Sequence, residues 1–215
     1  GGDELELSIT QFDLLKEPFD DSFLVAATLR SETIFGVTNV WINPRATYAK
    51  VKVDDETWYV SEKCAEKLKN QNLTVEILER FEGSRLVGKE VYIPLAERKV
   101  KVLPAGFVDE EVATGVVNSV PAHAPYDLIA LEDLKKDKET IKNFGLSPKE
   151  IEDIQPISLI QVEGHSEWPA ADVSKKLHVL SQRDVDKLEK ATQEVYNLEY
   201  YNGVLREICG EFAGL

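Results

Sequence analysis

Ala26-Ala27-Thr28-Leu29-Arg30-Ser31-Glu32-Thr33-Ile34-Phe35-Gly36-Val37-Thr38-Asn39 runs from the end of an apolar segment into a turn dense in hydroxyl and charged side chains. The segment that feeds it, residues 23–28, reads as a buried strand, and the spacing predicts a short helix around residues 31–37. A second stretch repeats the arrangement: Ala113-Thr114-Gly115-Val116-Val117-Asn118-Ser119-Val120-Pro121-Ala122-His123-Ala124-Pro125-Tyr126-Asp127. Here residues 114–120 read as a strand stopped by Pro121, which cannot continue a central ladder. In the plainest reading each stretch is a strand-to-helix corner, where Thr, Ser and Asp cap helix ends and Gly supplies positive φ. Small polar groups at the ends of two buried strands can also line a site.

Outward from these corners, strands are expected over residues 39–42, 48–53, 75–81, 91–94 and 99–103, with 95–98 as a hairpin connection. Ser61 is placed to cap a helix over 61–70. After Tyr126 the texture turns helical, with Leu128, Leu131 and Leu134 three residues apart and Ser147-Pro148 as a further helix start. Residues 157–162 return to strand. A last helix over 184–201 carries Val185, Leu188, Ala191, Val195 and Leu198 on one face, with Gly203 as its stop. Many short strands followed by helices predict an α/β fold with a small β-barrel-like core surrounded by helices, and a helical insertion at about 128–153.

The chain has 215 residues, of which 43% are hydrophobic and 30% charged, enough for one sizeable domain. Its apolar runs fall short of the roughly 18–20 residues that a membrane span needs, and no signal peptide opens it, so a cytoplasmic protein with no membrane partner is expected. It has no methionine and begins Gly1-Gly2-Asp3-Glu4, which leads us to expect a piece cut from a longer protein. Cys64 and Cys209 stand far apart without metal-ligand spacing, so buried free thiols are expected and neither a disulfide framework nor a metal site. A formal charge of −14, from 39 acidic against 25 basic side chains, argues against autonomous nucleic-acid binding. The same surplus leaves open a non-catalytic acidic interaction module.

Taken together, Ala27-Thr28-Leu29-Arg30-Ser31-Glu32-Thr33-Ile34-Phe35-Gly36-Val37-Thr38-Asn39-Val40-Trp41-Ile42-Asn43-Pro44 and the stretch 113–127 resemble the threonine-rich and glycine-rich peptides of the editing domain of leucyl-, isoleucyl- and valyl-tRNA synthetases. The likeness is nearest to the archaeal and eukaryotic leucyl group, and it extends through residues 66–104, 128–134, 157–164 and 189–201. The chain departs from the pattern at Ser31, where proline is usual, at Ala113, where many relatives have glycine, and at Asn118, where methionine is common. Valyl editing domains, which clear threonyl-tRNA, share similar peptides and are the nearest competitor.

The resemblance implies hydrolysis of the ester that joins a wrong amino acid to the acceptor end of tRNA-Leu. It matches Asp127 to the carboxylate that anchors the substrate's α-ammonium and Thr33 to the position that excludes leucine. The substrate ester is already activated, so cleavage needs a held water and donors for the oxyanion. Thr28 and Thr33 offer hydroxyls for this, and Asp127, Thr28 and Thr33 form the expected catalytic set. Arg30 is the expected contact for the terminal adenosine. Asn118 and Val120, at i and i+2, share a strand face and are expected to line the pocket. His123 is a substrate-side candidate, although a lone histidine at such a turn more often serves as a structural hydrogen-bond partner. No cofactor is expected in this domain, while ATP and magnesium belong to the parent synthetase, whose remaining domains would be its partners. The ATP-binding signature peptides of that parent are absent here.

Overall fold

In the computed structural model of the chain residues 11–215 are described, so the Gly1-Gly2 opening lies outside the described residues. The elements are β1 (Asp13–Phe19), β2 (Ser22–Thr28), a 3₁₀ turn (Ser31–Gly36), β3 (Asn39–Ile42), β4 (Thr47–Val53), β5 (Glu56–Ser61), α1 (Glu62–Leu68), β6 (Val75–Glu82), β7 (Glu90–Ile93), β8 (Arg98–Pro104), β9 (Val116–Ser119), α2 (Pro125–Lys136), α3 (Lys138–Asn143), α4 (Pro148–Glu152), β10 (Ile160–Val162), α5 (Pro169–Lys176), α6 (Val185–Asn202) and β11 (Gly203–Leu205).

Two sheets hold the fold. The first has five strands in the order β1-β2-β5-β4-β6 and the second four, in the order β7-β8-β3-β9; β10 and β11 form a separate ribbon. Most pairs are antiparallel, but β2 with β5 and β3 with β8 are parallel. The alternation along the strands decides what lies between. Leu24 and Ala26 of β2 and Tyr48 of β4 meet Val40 and Ile42 of β3 and Val91 and Ile93 of β7 in one buried cluster. The intervening Trp41 turns to the opposite face of β3, where it packs with Leu103, Leu131, Leu134, Ile141 and Ile151 under the helices α2, α3 and α4. On the far side of the five-stranded sheet, Cys64, Ala65 and Leu68 of α1 cover Val25, Val51 and Val60. Both sheets are therefore roofed by helices.

The α/β class with helices around a β core is what the sequence leads one to expect, with one correction. The sheets face each other over a shared core but remain two open sheets rather than one closed barrel. The stretch 128–153 is helical as expected and packs directly on the four-stranded sheet through Leu131, Leu134 and Ile151. Ser61 does cap α1, its hydroxyl accepting from the Cys64 N–H at 3.1 Å. The strand expected at 157–162 contracts to Ile160–Val162. Cys64 and Cys209 are free and buried. No helix among the described residues is long and apolar enough to cross a membrane.

Candidate functional site

The two sequence corners meet. β2 delivers Thr28, and the 3₁₀ turn that follows carries Thr33. β9 pairs antiparallel with β3 from Asn39↔Ser119 to Ile42↔Val116, which brings the glycine-rich stretch alongside. Thr28, Arg30, Thr33, Asn118, Val120, His123 and Asp127 all line one cavity of about 270 Å³, with Phe12, Leu29 and Tyr196 also in its lining. A larger depression of about 1040 Å³ opens around Asn43, Arg45, Phe107 and Asp133, but none of these seven residues borders it. The smaller cavity is the chemical candidate because it gathers a buried carboxylate, two threonines and an arginine.

Asp127 occupies the first turn of α2 and is only 3% exposed. Its Oδ2 accepts the Val120 N–H at 2.8 Å, which ties the helix start back to the strand end. Burial pushes its carboxyl up to about 7, opposed by the Val120 N–H. The Trp41 indole lies close enough to lower it slightly, although Trp41 Nε1 makes no hydrogen bond of ordinary geometry. This side chain sits in the core and not in an open polar loop, so its removal carries a folding cost.

The two threonines are in different situations. Thr28 Oγ1 accepts the Arg30 N–H at 3.0 Å, which leaves its own proton to donate. Thr33 donates its hydroxyl to Arg30 O at 2.7 Å, so that proton is committed to holding the turn. Ser31, standing where relatives have proline, bonds Asp13 Oδ2 at 2.8 Å and anchors the same turn to β1.

Arg30 is held rather than free. Its Nη1 lies 2.7 Å from Glu199 Oε2 and its Nε 3.0 Å from Glu32 Oε1, with its guanidinium 5.6 Å from the Tyr196 ring centre. Burial depresses the Arg30 pKa, but the carboxylates of Glu199 and Glu32 outweigh it and leave the net shift upward. The Glu199 contact is an ion pair at close range without hydrogen-bond alignment. The other oxygen of Glu199 meets His123 Nδ1 at 2.6 Å, while His123 Nε2 accepts the Leu159 N–H at 2.8 Å. A nitrogen that accepts a backbone N–H carries no proton, so the hydrogen must sit on Nδ1 and point at Glu199. Both ring nitrogens are spent in these contacts, so His123 ties the corner after β9 to α6 and to the Leu159 backbone.

Asn118 is likewise engaged, its Nδ2 donating to Glu17 Oε1 at 2.6 Å. Glu17 and Glu199 are the polar residues that sequence reasoning does not find. The signal for Glu199 is its place one turn beyond Val195 on the stripe Leu188, Ala191, Val195, all buried. For Glu17 it is the period of two with Phe19, which also faces inward. Ala113, where relatives have glycine, adopts φ 49°, a left-handed conformation in which glycine carries no Cβ penalty. Gly115, at φ +68°, has no room for a side chain, since a Cβ would lie 2.7 Å from Ser61 Cβ.

The profile of the family described as "Leucyl-tRNA synthetase, editing domain" matches residues 10–150. The chain is 48% identical over 206 residues to the leucine–tRNA ligase of Pyrococcus abyssi, covering 94% of this chain and 21% of that protein. It is 45% identical over 214 residues to that of Archaeoglobus fulgidus, covering 98% and 22%. The chain thus spans about a fifth of the length of the curated relatives it matches. Among solved structures, GlLeuRS-CP1 superposes with a TM-score of 0.78 at 28% identity over 91% of this chain and 76% of that one. The P. knowlesi cytosolic leucyl-tRNA synthetase editing domain superposes with a TM-score of 0.85 over 96% of this chain and 88% of that one, at 20% identity, a likeness of fold.

Proposed function

The chain belongs to the family of leucyl-tRNA synthetase editing domains, and from this premise we propose that its cavity hydrolyses the ester of tRNA-Leu carrying an amino acid other than leucine. The observation that carries the reading is the convergence of both peptides on one cavity with a buried carboxylate in its wall. A synthetic site rejects a side chain differing by one methylene by only about 10–200-fold, so a second, hydrolytic sieve has a physical purpose. The anionic form of Asp127 anchors the ammonium of the substrate. Thr28, with an uncommitted hydroxyl proton, and backbone N–H groups of the two peptides hold water and carbonyl. Arg30 faces the nucleotide end. The ester brings its own activation, and the proposed reaction therefore draws on no cofactor. ATP and magnesium serve the parent ligase elsewhere.

Selectivity falls to Thr33. Its hydroxyl is turned to Arg30 O, which leaves the methyl to meet an incoming side chain. Thr33→Ser deletes that methyl and keeps the hydrogen bond, whereas Thr33→Ala deletes both. Either change should let leucine enter, and hydrolysis of leucyl-tRNA by the full synthetase should rise about 10-fold or more. Equal rates in parent and variants would place discrimination elsewhere and remove Thr33 from the reading. The valyl alternative, which predicts preference for the threonyl ester, is not favoured by the family match.

The partners are the acceptor end of tRNA-Leu and the rest of the parent synthetase. The charge of −14 opposes a phosphate backbone, so the other domains must bring the RNA. The isolated chain should bind tRNA with a Kd weaker than about 1 μM at physiological salt, measured by filter binding or fluorescence anisotropy. Tighter binding would show that this domain recruits the RNA itself.

A further inference from the structure

Glu17 projects from β1 into the core and is 1% exposed. Among the described residues its single side-chain hydrogen bond is the one its Oε1 accepts from Asn118 Nδ2, at 2.6 Å. The second oxygen of Glu17 and the amide oxygen of Asn118 are both buried without a partner among the described residues. Two side chains already joined by one hydrogen bond thus each hold an unsatisfied acceptor. Two acceptors cannot satisfy each other, and an ionised carboxylate offers nothing else. A carboxylic acid does: its O–H donates to the amide oxygen while its carbonyl accepts the amide N–H.

Among the described residues no cation compensates a charge at this position. β1 also carries Asp13 and Lys16, β7 carries Glu90 and Tyr92, β8 carries Arg98, Lys99 and Lys101, and β2 and β9 carry no charged side chain. Lys16 pairs with Glu56, Lys101 with Glu90, Asp13 with the Ser31 hydroxyl, and Arg98 reaches the carbonyls of Val37 and Ala96. None of these groups bonds Glu17 among the described residues. Burial pushes the Glu17 carboxyl up to about 8, against a smaller opposing effect of the Asn118 hydrogen bond.

We propose that Glu17 is a neutral acid that closes a two-bond ring with Asn118, and that it is a positioning residue fixing Asn118 in the cavity wall. The second half rests on reading the cavity as the editing site; the first half does not. Asn118 borders the cavity beside Val117 and Val120, so its orientation sets the shape of that wall. An apolar residue there would need no such partner.

Glu17→Gln reproduces the neutral acid, with an amide N–H in place of the O–H, and Glu17→Ala breaks the ring. A carboxyl whose folded pKa exceeds its unfolded value contributes stability at low pH that is lost as pH rises through the folded value. The chain and its Glu17→Gln variant should therefore unfold at similar temperatures near about pH 4, and the variant should become progressively the more stable as pH rises from there to about 8. Difference infrared spectra of the two should show a protonated carboxyl band at neutral pH that disappears in alkali. In the synthetase carrying the domain, KM for isoleucyl-tRNA-Leu should rise above about pH 8 in the parent and stay flat in Glu17→Gln, with kcat little changed, and Glu17→Ala should raise KM at every pH. A stability difference independent of pH, or no protonated carboxyl, would overturn the neutral acid. An intact ring with a pH-independent KM would overturn the positioning role. The stability and infrared measurements use no RNA, so they decide the acid even where the editing reading fails.

Discussion

Replacing Asp127 by asparagine should abolish deacylation of isoleucyl-tRNA-Leu while the domain still folds. Asparagine keeps an oxygen for the Val120 N–H, now bonded to Asp127 Oδ2 at 2.8 Å, and removes only the charge. An ammonium–carboxylate pair at about 4 Å and an effective dielectric near 20 is worth about 4 kcal/mol, which corresponds to roughly three orders of magnitude in rate. Alanine should lose the same activity and also strand a buried N–H, at a further folding cost of about 1–3 kcal/mol. Hence asparagine is the informative variant. The pH dependence follows from the carboxyl being raised to about 7 by burial. Only its anionic form pairs with an ammonium, so kcat/KM should fall as pH drops through about 7, after subtraction of uncatalysed hydrolysis. Stability runs the other way. The raised carboxyl stabilises most below its unfolded range and loses that contribution as pH climbs through 7, so the asparagine variant should gain on the parent over that interval. Unchanged hydrolysis by the asparagine variant would remove Asp127 from its assigned role.

What the sequence makes legible here is whatever short-range chemistry writes into it. The corners at Thr28 and Pro121 are visible because strand ends and helix starts need small polar groups, and Ser61 is visible as a cap for the same reason. The first strand is not. Asp13–Phe19 contains Lys16, Glu17 and Pro18, which read as loop, and the strand survives because β1 is the edge of its sheet, where proline costs no ladder bond. Missing that strand also hides Glu17. Strand order is equally illegible, because it depends on long-range pairs such as Phe23↔Trp58 and Leu24↔Tyr59, the short parallel contact that joins β2 to β5. The last helix shows how a periodic reading is right in kind and off in detail. Val185 belongs to the apolar stripe by spacing yet is 53% exposed, whereas Glu199 breaks the stripe by chemistry yet is 4% exposed. An acid on an apolar stripe has to be paid for by partners, and those partners come from residues that the chain places far away.

Those partners make Glu199 the other position with a large expected effect. Its carboxylate is the meeting point of α6 with both peptides, 2.6 Å from His123 Nδ1 and 2.7 Å from Arg30 Nη1. Glu199→Ala leaves a largely buried guanidinium without its main counter-charge and a buried imidazole N–H without an acceptor. Breaking a buried pair from one side costs about 3–5 kcal/mol, a large share of the roughly 5–15 kcal/mol that holds a typical domain together. The alanine variant should therefore unfold at a much lower temperature, measured by circular dichroism or calorimetry. Glu199→Gln separates charge from shape. Its carbonyl still accepts from His123, so the tie to the Leu159 N–H persists, but its amide hydrogens repel Arg30 and release the guanidinium toward Glu32 and Tyr196. The glutamine variant should fold with a moderate loss of stability, and KM for the mischarged tRNA should rise more than kcat falls if Arg30 has its proposed place at the nucleotide end. Doubling with Arg30→Ala gives the decisive result. If Glu199 acts through Arg30, the glutamine change should add almost nothing to KM in the Arg30→Ala background. Additive effects on KM would mean that Glu199 reaches the site by another route, with His123 the remaining candidate.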